Sequence, residues 1–133
     1  MIASNELRKG NLVQKNSVVG RVTQIFWNRV EIELTEEGKK VFEEWQYENL
    51  EPIAVTLEVL EKCDLIKHRR FYYSNVFYSK KGKFTINQLR DNIEVSFAVN
   101  SSPGIISDQN LSVHQLQNLY FALLHEELDV KLE

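Results

Sequence analysis

Val18-Val19-Gly20-Arg21-Val22-Thr23-Gln24-Ile25-Phe26-Trp27-Asn28-Arg29-Val30-Glu31-Ile32-Glu33-Leu34 decides the fold. β-branched and aromatic side chains dominate its first ten residues, and these suit a pleated, half-buried surface. Strand alternation places Val18, Gly20, Val22, Gln24 and Phe26 on one face, with Val19, Arg21, Thr23, Ile25 and Trp27 on the other. Asn28-Arg29 reads as a turn. From Val30 the chain alternates strictly, apolar residues inward and Glu31 and Glu33 outward. The stretch is therefore an antiparallel hairpin with one dry face. Gly20 inside it marks a bend or bulge, since a glycine leaves a gap in the side-chain packing of a strand.

Working outward, Gly10-Asn11 is a turn signal from which the chain runs into Val13, and Asn16-Ser17 reads as a tight turn. Downstream, Thr35-Glu36-Glu37-Gly38 is another turn. Residues 39–47 fit a helical turn through Val41, Phe42 and Trp45, or a strand with Val41, Glu43, Trp45 and Tyr47 on one face. The short turns on both sides favour the strand. Residues 50–55 are an extended connector, because Glu51 precedes a proline. Thr56 caps a short helix over 57–63, with Leu57 and Leu60 inward. Residues 70–99 read as a three-stranded meander with strands near 71–79, 84–89 and 93–99. Its hairpin is Lys80-Lys81-Gly82-Lys83. Residues 100–110 read as a polar loop. Ser112 caps a helix over 113–124, whose apolar stripe is Val113, Leu116, Leu119, Tyr120 and Leu123. Residues 127–132 alternate again and suggest a short terminal strand.

The chain has 133 residues, of which 43% are apolar and 26% charged. These values describe an ordinary folded domain rather than a disordered chain. No window approaches 18 uncharged apolar residues, so no membrane span is expected. The N-terminus lacks the basic-then-apolar pattern of a secretory leader. Cys63 is the only cysteine, which precludes an internal disulfide and points to a cytoplasmic protein.

Two stretches carry resemblances. Leu7-x-x-Gly10-Asn11-x-Val13, followed by Val19-Gly20-x-Val22-x-x-Ile25, resembles the start of SH3-like small barrels. Pro52-Ile53-x-Val55-Thr56-x-x-x-Leu60-x-Lys62-Cys63 joins with His114-Gln115-Leu116-Gln117-Asn118-Leu119-Tyr120-Phe121-Ala122-Leu123, Glu127 and Leu128 to form the second. It resembles a family of small uncharacterised proteins from anaerobic gut bacteria and their phages or mobile elements. This resemblance covers most of the chain and implies an origin without a mechanism. Asp64 and His125 depart from it, standing where the family has glycine. If the last helix ends in a left-handed residue, His125 carries steric strain there.

The expected architecture is a single α+β domain over 1–133. An antiparallel SH3-like half spans 7–50, and a helix-meander-helix half spans 51–133. The helix over 113–124 is expected to pack on the inner face of strands 71–99. Val22, Ile32, Leu57, Leu60, Phe97, Leu116, Leu119, Tyr120 and Leu123 are the expected core.

Charge is unevenly spread. The net formal charge is −3, yet residues 65–90 carry seven basic and no acidic side chains. Lys67, Arg69, Arg70, Tyr72, Tyr78, Lys80, Lys81 and Lys83 form the leading candidate site. Cations track phosphates, and exposed rings stack on bases. The same composition also describes a strand whose aromatics fill a core and a hairpin whose lysines are solvated. A second candidate is the polar side of the last helix, where His114, Gln117 and Asn118 share one surface. There the amide side chains can satisfy orphan backbone groups of the 100–110 loop. A Cys63–His114–Asn118 grouping copies the residue types of a cysteine hydrolase, but no nucleophile motif surrounds Cys63. The three histidines are scattered and show no metal-ligand spacing, and no glycine-rich phosphate loop is present. Adjacent carboxylates such as Glu36-Glu37 point to opposite faces of a strand and make no acid/base dyad.

The sequence therefore points to a non-enzyme without cofactor, metal or membrane contact. It reads as a protein-interaction module that binds a protein partner or itself, through exposed aromatics on the meander or the N-terminal sheet edge. A nucleic-acid-binding accessory protein using 67–84 is the alternative.

Overall fold

A computed structural model of the chain describes residues 2–71, 74–80, 84–88, 93–99, 102–107 and 111–132, the side chains of 68–71, 74, 97–99 and 102–107 excepted. The chain divides into two compact units. The first comprises Met1–Ala54, Ser112–Glu127 and Leu132–Glu133; the second comprises Val55–Leu111 and Leu128–Lys131.

The first unit is built on an antiparallel sheet of β1 (Leu12–Lys15), β2 (Val18–Ile25), β3 (Arg29–Glu36) and β4 (Lys39–Gln46), in that order. Asn16 and Ser17 join β1 to β2 with φ of 49° and 66°, and Glu37 and Gly38 join β3 to β4 with φ of 50° and 76°. Two consecutive positive φ values match the two-residue hairpin turn whose twist agrees with that of paired strands. Val13, Val22, Val30, Ile32, Leu34 and Trp45 line the buried face together with Ile2, Leu7 and Leu50. The register of β2 against β3 shifts between Val22 and Gln24. The bulge thus lies beyond Gly20, and its extra residue brings Ile25 opposite Val30. Strict alternation had separated Ile25 from Val22. Gly20 answers a different need: a Cβ there would stand 2.1 Å from Ile32 Cγ2.

The long helix α2 (Val113–Leu124) belongs to the first unit and packs against β1. This corrects the expectation that it covers strands 71–99. The reason lies in the face it buries. Val113, His114, Leu116, Gln117 and Tyr120 are buried, while Leu119 and Leu123 are only half-buried. The helix is rotated away from its purely apolar stripe towards its amides, and those amides have partners in the segment leading into β1. The helix ends at His125, whose φ of 57° and ψ of 27° are left-handed and whose N–H donates to Phe121 O. Here a histidine holds a position that glycine fills without steric penalty.

The second unit holds a five-stranded antiparallel sheet in chain order: β5 (Ile66–Phe71), β6 (Ser74–Tyr78), β7 (Phe84–Gln88), β8 (Ile93–Val99) and β9 (Ser102–Ser107). Two strands were not foreseen. Ile66–Phe71 pairs with β6, and Ser102–Ser107 pairs with β8 where a polar loop was expected. Pro103 is tolerated because β9 is an edge strand, where a missing N–H leaves no ladder bond open. The first helix, α1 (Leu57–Glu61), is shorter than expected; Thr56 Oγ1 accepts from Val59 N at 3.3 Å, as an N-cap should. Phe77, Phe84, Ile86, Ile93, Val95, Leu60, Cys63, Leu128 and Val130 are buried. The terminal alternation reduces to one bridge, Cys63 to Val130. Of the remaining expected core, Val22, Ile32 and Leu60 are buried, Leu57 is half-buried, and the Phe97 side chain lies outside the described residues. Among the described residues no helix is long and apolar enough to cross a membrane.

Candidate interaction surface

The amides singled out on α2 are internal ties. Gln117 is 1% exposed. Its Oε1 accepts from Leu12 N at 2.8 Å, and its Nε2 donates to Gly10 O at 3.2 Å. Asn118 Oδ1 accepts from Asn11 Nδ2 at 2.8 Å, and Asn118 Nδ2 donates to Glu6 O at 2.8 Å. Asn11 is itself fully buried, and its Oδ1 accepts from Arg8 N at 2.7 Å. Arg8 makes a two-point ion pair with Glu127 at 2.6 and 3.1 Å and stacks 3.9 Å from the Phe121 ring centroid. The amides do satisfy orphan backbone groups, those of residues 6–12; the expected partner loop 100–110 lies partly outside the described residues. A strand entrance that turns at Gly10-Asn11 leaves N–H and C=O groups without ladder partners, and each needs one when buried.

His114 is 2% exposed. Its Nδ1 lies 3.0 Å from Ser112 Oγ, and its Nε2 has no hydrogen-bond partner among the described residues. Burial lowers its pKa, while the Glu6 charge pulls it back up. Because the folded pKa lies below the unfolded value, the unfolded chain takes up the proton first on acidification. Stability is then full above about pH 6.5 and falls as pH drops through that value. Urea melts at pH 7.5 and 5.5 are expected to show this loss, and His114→Asn is expected to flatten it. An equal pH slope in the variant would place the loss elsewhere.

The basic segment is only partly described. Lys67 Nζ pairs with Glu61 Oε1 at 2.6 Å and sits 6.0 Å from the Phe77 ring centroid. Lys80 Nζ lies 3.5 Å from Asp64 Oδ2. Tyr78 is half-buried, and its neighbour Phe77 is core. Arg69 and Arg70 lie on β5. The side chains of Arg69 and Arg70 fall outside the described residues, as do Tyr72, Lys81 and Lys83 altogether. The structure thus brings Lys67 and Lys80 to carboxylates of their own unit.

Cys63 is buried, with Sγ 3.4 Å from Val59 O. Burial, reinforced by the Asp129 charge, pushes its thiol up to about 12. The thiol therefore stays protonated at neutral pH, the opposite of what a nucleophilic cysteine needs. A cleft of about 460 Å³ is lined by Glu61, Lys62, Cys63, Asp64, Asp129 and Lys131. No group of three or more potential metal ligands occurs among the described residues.

The aromatics that stand out lie on the N-terminal sheet, whose edge the sequence offered without naming residues. Trp27 is 90% exposed and Phe42 57% exposed, the two most exposed large apolar side chains among the described residues. Neither sits on a loose element. Trp27 tips the β2–β3 turn, which Phe26 N closes onto Arg29 O at 2.9 Å. Tyr47 donates its hydroxyl to Phe26 O, and the Arg29 guanidinium lies over the Phe26 ring at 4.7 Å. Arg29 Nε pairs in turn with Glu44 Oε2 at 2.8 Å. Phe42 projects from β4, an edge strand opposite Glu33. Lys40 Nζ lies 3.3 Å from Glu33 Oε1 beside it. The signal for Phe42 was present in the sequence: once Val41, Glu43 and Trp45 face one way, Phe42 must face the other.

No protein-family model, curated protein or solved structure matches the chain. What the fold itself defines is an α+β protein of two antiparallel sheets, with its long helix tied to the first by buried amides.

Proposed function

We propose that the chain is a non-catalytic protein-interaction module of the cytoplasm, and that its first unit is the half that binds. The observation that carries this reading is the exposure of Trp27 and Phe42 on well-bonded elements. Large aromatic side chains held out into water, beside a strand edge with no partner among the described residues, are what protein partners bury. The opening of this unit resembles SH3-like barrels, which accords with a binding role. The likeness of 52–63 and 114–128 to proteins of gut bacteria and their phages supports an origin in such a genome. The buried, unpaired thiol of Cys63 accords with a reducing compartment.

The test is photo-crosslinking in expressing cells, with the reactive group at position 27 or 42 and, as control, at exposed Glu58 of the second unit. Discrete protein adducts from 27 and 42 and none from 58 are expected. Adducts at all three positions alike, or at none, would sink the reading. Nucleic-acid binding through 67–84 rests on the seven cations of 65–90. Exposed pairs such as Lys80–Asp64 contribute little and can be exchanged for phosphate. If that reading is right, labelled single-stranded DNA binds with steep salt dependence, and Lys80→Gln, Lys81→Gln and Lys83→Gln together abolish it.

A further inference from the structure

We infer that β4 is a self-pairing edge, on which a second copy of this chain adds its own β4 antiparallel to form one continuous sheet. The inference rests on the interaction-module reading and names its partner.

The backbone comes first. β1, at the other edge of the first sheet, is bridged to Glu51 through Gln14 and faces α2. Beyond β3, β4 has no strand partner among the described residues. Glu36 and Lys39 flank the two-residue turn at Glu37-Gly38. In such a turn the N–H of the fourth residue returns to the C=O of the first, so Lys39 bonds inward to β3. Antiparallel strands alternate, so Val41, Glu43 and Trp45 also bond inward. Lys40, Phe42 and Glu44 therefore present their N–H and C=O to the open side. An eight-residue edge with its donors and acceptors in line is a template for another strand.

The side chains then select the partner. Two identical edges pair antiparallel about an axis normal to the sheet, which keeps each face continuous. Paired residue numbers must then have an even sum. Centring on Phe42 sets it opposite Phe42 of the second copy, Lys40 opposite Glu44, and Glu44 opposite Lys40. Directly opposed side chains stand about 5 Å apart at Cβ, within reach of both the aromatic pair and the ion pairs. Lys40 and Glu44 are both exposed and already sit beside Glu33 and Arg29. The outer face would read Glu33, Lys40, Glu44, Arg29 across the junction, charges alternating throughout. On the other face Lys39 falls opposite Trp45 and diagonal to Glu43, and Val41 falls opposite Glu43. Shifting the register by one pleat in either direction puts a charge opposite Phe42. On the outer face the order Lys40, Phe42, Glu44 is thus self-complementary in this register alone, and that is why the occupant is a second copy rather than an unrelated strand.

The experiment is sedimentation of the full chain over a concentration series, with charge-reversal variants. The wild-type protein is expected to move from 15.6 kDa to twice that mass. Lys40→Glu and Glu44→Lys should each stay monomeric at the same concentrations, because each sets like charges opposite. An equimolar mixture of the two should dimerise, since every opposed pair is then of unlike sign. Hydrogen exchange should show concentration-dependent protection of the Lys40, Phe42 and Glu44 amides but not of Val41 and Glu43. A wild-type chain that stays monomeric, or a dimer that survives both single variants, overturns the inference. Cross-links from position 42 to another protein, with a monomeric wild type, would overturn self-pairing and leave the interaction module standing. An absence of both would remove the two together.

Discussion

Replacing Gln117 with leucine is expected to lower stability by about 2–4 kcal/mol, although leucine is the better residue for a buried helix position. Gln117 lies in the buried face of α2, between Leu116 and Tyr120, where packing alone would call for an apolar side chain. Its amide instead serves two backbone groups. The Leu12 N–H has Gln117 Oε1 as its acceptor at 2.8 Å, and Leu12 is fully buried. Without the amide that N–H loses its acceptor at a site closed to water, which costs about 1–3 kcal/mol. Gly10 O fares better, because Arg21 Nη1 also donates to it at 3.1 Å. Losing the Gln117 bond there adds roughly 1 kcal/mol. Gln117→Glu keeps the acceptor but buries a charge, so it should be worse than leucine at neutral pH and recover on acidification. Denaturant melts of the three proteins check this. A leucine variant within 0.5 kcal/mol (about the scatter of surface substitutions) would mean that α2 is held by its apolar contacts alone.

The same residues show why the helix was legible and its docking was not. The 3.6-residue period locates α2 to the residue, and Ser112 marks its start. Period alone ranks faces by hydrophobicity, and on that scale His114, Gln117 and Asn118 belong outside. What turned the helix was demand from elsewhere: the backbone groups Glu6 O, Gly10 O and Leu12 N, more than 100 positions away in the chain. Long-range hydrogen bonds of that kind have no local signature. Strand β9 was obscured similarly. Pro103-Gly104 reads as a loop until the neighbouring β8 supplies a partner, and an edge position removes the objection to proline. The hairpins were the easy part, because Asn16-Ser17 and Glu37-Gly38 announce their turns locally and alternation does the rest. The exposed aromatics of the first sheet were hard to name for a compositional reason. The cluster at 71–84 is conspicuous, yet of its described side chains Phe77 and Phe84 are core and Tyr78 is half-buried. Trp27 and Phe42 lie outside that cluster and are the most exposed aromatics among the described residues.

Gly20→Ala is expected to cost about 3 kcal/mol, at the upper end for overpacking a core. The sequence offers a conformational reason for this glycine, a bend or bulge. The structure offers a steric one, and the two differ in their consequences. Gly20 is not among the positive-φ residues, and the bulge lies two residues further on. Alanine is therefore conformationally acceptable, and by restricting the unfolded chain it would even gain about 0.4–1 kcal/mol. Against that, the added methyl meets Ile32 Cγ2 at 2.1 Å, Leu34 Cδ2 at 3.0 Å and Trp45 at 3.2 Å. Carbon atoms pack at about 3.5–4 Å, so Ile32 must retreat by more than 1 Å. It is β-branched with a stiff χ1, and its surroundings are buried. Ile32→Ala alone should cost about 2–5 kcal/mol through the cavity it opens. Combined, the two substitutions should be less damaging than their sum by about 1–3 kcal/mol, because the new methyl enters the space that Ile32 vacates. A bend-forming glycine predicts strict additivity, since shortening Ile32 does nothing for backbone conformation. The double-mutant cycle therefore separates the two accounts, and an additive cycle would return Gly20 to the role its sequence context first suggests.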